Sequence, residues 1–120
     1  MAQLSTPRAG VRAGTTEGNL LFAGGASVSN LAGWMIDNTS NIVDIYNLEA
    51  DEWTIFRMEN DRASHMVLSA KNQVFVIGGL DFTNGGILVP DMVVFRGKKL
   101  DFEARVTDIS EDYELSLIHI

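Results

Sequence analysis

The sequence predicts an all-β protein in which one small antiparallel unit of four strands occurs twice. A run of apolar, β-favouring residues ends at a glycine pair in residues 20–25 and again in residues 74–79. No segment shows the sustained 3.6-residue apolar period of an amphipathic helix. The 120 residues suit one small domain or a part of a larger one.

The two glycine pairs align with a shift of 54 residues, and the residues before them align without a gap. Arg8 lies 16 positions before Gly24, and Arg62 lies 16 positions before Gly78. An internal repeat decides the architecture of a chain, so this match carries more weight than any single motif.

Aromatic residues recur after the glycine pairs as well. Tyr46 and Trp53 are seven positions apart, and so are Phe95 and Phe102. Matching these pairs requires five fewer residues in the loop of the second unit. Because the matches before and after this loop keep their spacing, the sequence predicts two copies of one unit.

Each unit is predicted to contain four strands. The first strands are expected at residues 9–14 and 63–69, and the second strands are the apolar runs into the glycine pairs. These runs lack alternation, which is typical of strands buried on both faces. The third strands end at Tyr46 and Phe95. The last strand, residues 100–106, alternates apolar and charged residues, as a strand with one solvated face does.

Glycine pairs at strand ends permit a positive φ and a close approach of another backbone. In a radial array of sheets, inner strands converge toward an axis, and glycines let the chain turn away from that crowded end. Large aromatic side chains then fill the space between neighbouring sheets, where burying each contributes about 1.5–3 kcal/mol.

The first unit resembles a kelch repeat: an arginine, an apolar strand ending in Gly-Gly, a loop, a tyrosine, and a tryptophan about seven positions later. It carries this pattern as Arg8, Gly24, Gly25, Tyr46 and Trp53.

The second unit carries the same pattern with different aromatic residues, as Arg62, Gly78, Gly79, Phe95 and Phe102. The resemblance implies a partial kelch-type β-propeller of two four-stranded antiparallel blades. Two blades cannot close a ring, so we expect missing blades in a longer chain or neighbours from other proteins. The expected divisions are a lead-in (1–6), two repeats (7–58 and 59–106) and an acidic tail (107–120) whose last six residues are expected to be a sequence-processing artefact.

The composition restricts the function. The formal charge is −7, which disfavours nucleic acid and anionic membrane surfaces. No apolar stretch approaches the roughly 20 residues that span a bilayer, and no cysteine is present to form a disulfide or bind zinc. We expect a cytoplasmic protein without cofactor or metal.

The resemblance implies protein–protein binding through loops at one edge, as in substrate-recruiting adaptors of ubiquitin ligases or cytoskeletal adaptors. Loops on a rigid scaffold commonly carry binding residues. The candidates are Trp34, Ser64, Asp81 and Phe82; Trp34 is either a contact anchor or a packing residue, and Ser64 follows the repeat arginine where kelch domains often face partners.

Catalysis is not expected within these residues. Gly24 and Gly25 lack the lysine of a phosphate loop, His65 is expected to be a packed or rim histidine, and carboxylates such as Asp44 and Asp61 are expected to be solvated. The alternative is a fragment of a propeller enzyme, galactose-oxidase-like or sugar-processing, whose active residues lie outside this chain.

Overall fold

The computed structural model of the chain describes residues 4–29 and 35–106. These residues form an all-β structure of antiparallel sheets. In this part of the chain, no helix is long and apolar enough to cross a membrane. The strands are β1 (Arg12–Thr16), β2 (Asn19–Ala23), β3 (Ala26–Ser29), β4 (Met35–Asn47), β5 (Glu52–Arg62), β6 (Met66–Ala70), β7 (Gln73–Ile77), β8 (Leu80–Asp81), β9 (Ile87–Leu88), β10 (Asp91–Arg96) and β11 (Asp101–Val106).

The strands form two main sheets and one small hairpin. In the first sheet β1, β2, β4 and β5 are successive neighbours, and β3 pairs with the first part of β4. The second sheet has the order β6, β7, β10, β11. Strands β8 and β9 form a separate two-stranded hairpin between β7 and β10.

The pairing register repeats between the two sheets. Arg12 lies opposite Ala23 in the first sheet, and Met66 lies opposite Ile77, 54 residues later, in the second. After the loop the shift becomes 49, and every β10–β11 pair then has a β4–β5 counterpart. The predicted repeat is therefore a repeat of backbone pairing as well as of residue types.

Hydrogen bonds at the strand ends follow the same two shifts. The amide of Gly24 donates to the carbonyl of Ile42 at 2.9 Å, and the amide of Gly78 donates to that of Asp91 at 3.1 Å. Since these bonds join the second strand of each unit to the third, the glycine pairs hold equivalent places in both units.

The first strand of each unit begins later than predicted. Residues 9 and 63 make only isolated bridges, and β1 and β6 start three residues beyond them. The backbone between has a positive φ of 71° at Gly10 and 54° at Ser64. This left-handed residue turns the chain and interrupts the extended conformation that the sequence predicted to be continuous.

The prediction that the second strands are buried on both faces is wrong. In β2, Leu21 and Ala23 are buried, whereas Leu20 and Phe22 are only half-buried. Each main sheet packs one face against the other sheet, and no further sheet among the described residues covers the opposite faces. Burial therefore alternates along β2 and β7.

The core lies between the two main sheets. Two apolar faces meet there, with Phe56 and Phe95 in an edge-to-face ring contact at 5.2 Å. The buried members of this cluster are Leu21, Ala23, Val43, Ile45, Met58, Val74, Val76, Val93 and Phe95. Close approach depends on Gly14, because a Cβ there would lie 2.8 Å from Cγ1 of Val74.

Strands β3, β8 and β9 occupy segments that were predicted to be loops. Each begins or closes a short antiparallel ladder beyond a glycine pair. Trp34 and the tail at residues 107–120 lie outside the described residues.

Candidate functional site

The candidate site lies where β2 and β7 end in their glycine pairs, at what we call the glycine edge. It comprises residues 4–11, residues 26–29 and 80–88 after the two glycine pairs, and residues 62–65. The arginines, the histidine and most of the predicted partner-binding residues lie here.

The glycine pairs turn the chain at this edge through a conformation that disfavours other residues. The φ angles are 67° and 99° at Gly24 and Gly25, and 59° and 104° at Gly78 and Gly79. A Cβ on Gly24 would also lie 2.6 Å from Cε1 of His65. Both the positive φ and the close contact therefore require glycine, as the sequence indicated.

Arg8 fastens the first glycine turn to the sheet. Its Nε donates to the carbonyl of Gly24 at 2.7 Å, and its Nη1 donates to Oδ2 of Asp44 at 3.0 Å. Both side chains are almost fully buried. The expectation that Asp44 is solvated is wrong, because a buried carboxylate is stabilised by the guanidinium beside it.

Arg62 performs the same task in the second unit and is completely buried. Its Nη2 donates to Oδ1 of Asp91 at 2.6 Å, and its Nη1 donates to the carbonyl of Gly78 at 3.3 Å. Its Nε has no hydrogen-bond partner within the described part of the chain. The register equivalent of Asp44 is Val93, so the acidic partner is displaced by two residues along the third strand.

His65 joins the two sheets. Its Nε2–H donates to the carbonyl of Ala23 at 2.8 Å, and the ring is 4% exposed. Its Nδ1 has no partner among the described residues. Burial lowers the pKa of His65, and the positive charges of Arg62 and Arg12 lower it further, against a raising effect of the Ala23 bond. The neutral ring is therefore a packed structural residue.

A polar contact, the hairpin clasp of Thr39, Asp81 and Thr83, joins the first unit to the β8–β9 hairpin. The hydroxyl of Thr39 donates to Oδ1 of Asp81 at 2.8 Å, and the amide of Thr39 donates to Oγ1 of Thr83 at 2.8 Å. A hydrogen bond from the side chain of Asn84 lowers the pKa of Asp81, and the bond from Thr39 acts in the same direction. The clasp fixes the hairpin against β4.

A polar cleft of about 260 Å³ lies beside the clasp. Arg57 lines it and donates to Oδ1 of Asn41 at 3.4 Å, with Asn38 and Asp61 nearby on its wall. Burial raises the pKa of Asp61, and the negative charge of Asp81 raises it further. The cleft is therefore lined by the guanidinium groups of Arg8 and Arg57, two side-chain amides and a carboxyl group, of which Arg8 is already paired with Asp44.

The structure places the predicted partner-binding residues at two points of the glycine edge. Asp81 is half-buried and engaged in the clasp, with Phe82 half-buried beside it. Ser64 is exposed and lines a different cavity, of about 460 Å³, together with Arg12 and His65. Trp34 lies outside the described residues.

Sequence reasoning missed the apolar residues exposed around this edge. Ile87 and Leu88 are each 61% exposed in the hairpin, and Met66 and Leu68 are at least half exposed on β6. A signal existed for the first pair, since two adjacent large apolar residues directly after Gly-Gly in a loop have no evident core to enter.

No protein-family model and no curated protein matches the chain. A solved structure does. The chain is similar to the structure of YjhT, with a TM-score of 0.66 and 14% sequence identity over 90% of this chain. The match covers 40% of the YjhT chain, so this chain spans less than half of that length. At this identity the similarity shows the fold alone.

Proposed function

We propose that the chain forms two adjacent blades of a kelch-type β-propeller and acts as a cytoplasmic protein-binding module rather than an enzyme. The observation that carries the proposal is the repetition of backbone pairing under shifts of 54 and 49 residues. Sheets that repeat side by side with the same register are the units from which radial arrays are built.

The face of the first sheet that is turned away from the second sheet, which we call the outer face, supports the proposal of a further blade. Leu20 and Phe22 lie on this face and are half-buried, whereas their equivalents in the second unit, Val74 and Val76, are buried against the first sheet. Residues at equivalent positions are thus suited to equivalent contacts. We therefore propose that the outer face of the first sheet packs against a preceding blade, which a longer chain or another protein supplies.

An aromatic cluster strengthens this reading of the outer face. The ring of Trp53 lies 5.9 Å from that of Phe22 and 5.1 Å from that of Tyr46. These are separations at which tilted ring pairs are favourable. All three side chains remain partly exposed, so an adjoining sheet would bury additional aromatic surface.

Binding rather than catalysis is supported by the engagement of the carboxylates at the glycine edge. Asp44 and Asp91 are paired with arginines, and Asp81 accepts hydrogen bonds from Thr39 and Asn84. These bonds fix the loops, and a fixed loop loses little conformational entropy when it binds a partner. The proposed contact residues are Trp34, Ser64, Asp81 and Phe82, in a role like that of substrate-recruiting or cytoskeletal adaptors.

The test is a comparison of protein partners retained by variants of the immobilised chain, quantified by mass spectrometry. Ser64→Arg places a large charged side chain at the exposed edge, and Thr54→Arg makes the same charge change on an exposed position of β5. Ser64→Arg should retain partners of this edge about tenfold less than the unaltered chain, which corresponds to about 1.4 kcal/mol of binding free energy. Thr54→Arg should retain them as well as the unaltered chain does. Equal retention by Ser64→Arg and the unaltered chain would refute binding through Ser64.

A further inference from the structure

Exposed apolar residues gather on the side of the second sheet that faces away from the first. We call this side the open face. Six large apolar side chains in the described residues are at least half exposed, and three of them, Met66, Leu68 and Leu88, lie at open-face positions. Half-buried Phe75 and Ile77 lie opposite Leu68 and Met66 on β7, whereas Leu88 belongs to the adjoining β8–β9 hairpin. This face corresponds, residue by residue, to the face of the first sheet that is buried in the core.

The open face differs from its buried counterpart in a consistent way. Under the shift of 54, Leu68 corresponds to Gly14, and under the shift of 49, Leu88 corresponds to Thr39. A residue without a side chain and a buried hydrogen-bonding residue are therefore both replaced by leucine. The second unit covers Gly14 with Val74 and Thr39 with Asp81. A partner that covers the open face must therefore have different residues at these two contacts.

The first difference is steric. A Cβ on Gly14 would lie 2.8 Å from Cγ1 of Val74 and 3.0 Å from both Oγ of Ser69 and Cγ1 of Val67. At the equivalent point of the open face the side chain of Leu68 already occupies this space. A sheet that docks with the same geometry needs a small residue where the second sheet has Val74, because overpacking of this kind destabilises an interface.

The second difference is one of polarity. Thr39 is 6% exposed because the hairpin of the next unit covers it, and it bonds to Asp81 and Thr83. Leu88 offers no side-chain hydrogen bond at the corresponding place. A polar residue buried against it would lose its hydrogen bonds to water without replacement. The residue that covers Leu88 should therefore be apolar.

The open face nevertheless retains features of a sheet-binding surface. At the existing interface the amide of Thr15 donates to Oγ of Ser69 at 2.9 Å, and Nδ2 of Asn19 donates to the carbonyl of Lys98 at 2.8 Å. The register equivalent of Asn19 is Gln73, which keeps a side-chain amide at the same place. The open face thus continues the pattern of the established interface.

We infer that the open face binds an antiparallel sheet with a small side chain opposite Leu68 and an apolar side chain opposite Leu88. This rests on the proposed function, from which we take the occupant to be a further blade. A second copy of this chain does not meet the requirement. Its first sheet would present Leu20 at the position of Val74 and Ser27 at the position of Asp81, so one contact is too large and the other is polar.

Cross-linking tests this inference in a chain that contains no native cysteine. One chain, the acceptor, carries Ser69→Cys, and a second chain, the donor, carries Thr15→Cys. Within the folded chain, position 15 of the first sheet meets position 69 of the second sheet. Under the shift of 54 these two positions are equivalent to each other. When a donor docks on the open face in the same way, position 69 of the acceptor therefore takes the place of 15, and position 15 of the donor takes the place of 69. A short bismaleimide should give at least tenfold more acceptor–donor dimer when the donor also carries Leu20→Ala and Ser27→Leu.

Three further measurements complete the test. A donor with Leu48→Ala, at an exposed turn, removes the same atoms elsewhere and should give no increase. An acceptor with Leu68→Gly should accept a donor that keeps Leu20 and carries Ser27→Leu. A single chain with both Thr15→Cys and Ser69→Cys should form an intramolecular cross-link, which reports the packing of the two sheets.

Two outcomes would overturn the inference. If the donor that keeps Leu20 and Ser27 forms as much dimer as the donor with Leu20→Ala and Ser27→Leu, a second copy of the chain fits the open face without any change. Absence of dimer with the altered donor would mean that size and polarity opposite Leu68 and Leu88 do not select the occupant. Loss of the intramolecular cross-link would instead contradict the side-by-side packing on which the proposed function depends.

Discussion

The two units share one backbone and bury their arginines in different ways. Arg8 pairs with Asp44 in the second half of β4, whereas Arg62 pairs with Asp91 at the start of β10. The positions of the two carboxylates are not equivalent in register. The difference shows that the glycine turn and its arginine are the fixed parts of the unit, and that a carboxylate from either of two neighbouring places can neutralise the guanidinium.

The largest expected effect is the loss of the more deeply buried arginine. Arg62→Met leaves Asp91 buried without its partner, and removing one member of a buried ion pair costs about 3–5 kcal/mol. Arg8→Met should cost less, because the exposed residues 5–7 can move aside and admit water to Asp44. Urea unfolding followed by circular dichroism measures both changes.

The matched control is the double variant Arg62→Met with Asp91→Leu. Replacing both charges removes the uncompensated carboxylate, so the double variant should recover most of the lost stability. If Arg8→Met proves as costly as Arg62→Met, the supposed difference in access to water between the two units is wrong.

The next effect comes from exchanging residues between equivalent strands. Gly14→Leu places in the first sheet the side chain that the second sheet has at that position, where it meets Val74 and Val67. We expect a loss of about 1–3 kcal/mol from overpacking. Leu68→Gly should cost only about 0.5–1 kcal/mol, from backbone entropy in a strand. The same urea measurement separates them, and equal costs would contradict the packing described for Gly14.

Acidification should weaken the contact between the two sheets. The pKa of His65 is lowered in the folded chain, so below its ordinary value of 6.5 the unfolded chain binds a proton that the folded chain does not. The contribution of His65 to the free energy of unfolding should therefore be fully present above about pH 6.5. Below that pH the free energy of unfolding should fall, by at most about 1.4 kcal/mol per pH unit. Urea midpoints between pH 7.5 and 5.5 measure the fall.

The control for this pH dependence is His65→Gln, which cannot titrate. The raised pKa of Asp61 acts in the opposite direction and is common to both proteins. The difference between the two midpoint curves therefore belongs to His65. Parallel curves would show that the pKa of His65 is the same in the folded and the unfolded chain, which contradicts the lowered pKa.

The smallest effect is expected at the opposite edge. Lys98 pairs with Glu49 at 3.0 Å, and the hydrogen bond that its ammonium group donates to Glu49 raises the pKa of Lys98. Both side chains are largely exposed, and exposed ion pairs contribute little. Lys98→Met should leave the urea midpoint unchanged within error. A clear decrease would show that this pair helps to hold the two units together.

Much of the architecture could be predicted from the sequence because the repeat imposes the same backbone twice. The spacing of Arg8 to Gly24 and of Tyr46 to Trp53 each has a counterpart, and strand order follows from this arrangement. The residues at which β1 and β6 begin were less predictable. Nothing in the residue type of Ser64 requires the positive φ that delays β6, although its counterpart Gly10 indicates it in retrospect.

The site was predicted less well, for a physical reason. Whether Asp44 is solvated or buried depends on an arginine 36 residues away, and sequence spacing does not reveal that contact. The same holds for Thr39, whose partners lie in the next unit. Tertiary contacts between units decide these environments, whereas local composition decided the strands.

The change of shift from 54 to 49 falls entirely in the segment between the second and third strands of each unit. The paired residues on either side remain in register despite a length difference of five. The tip of the β8–β9 hairpin, at Gly85 and Gly86, is therefore a suitable place for grafting foreign peptides, because the β7–β10 ladder that supports it does not depend on the length of this segment.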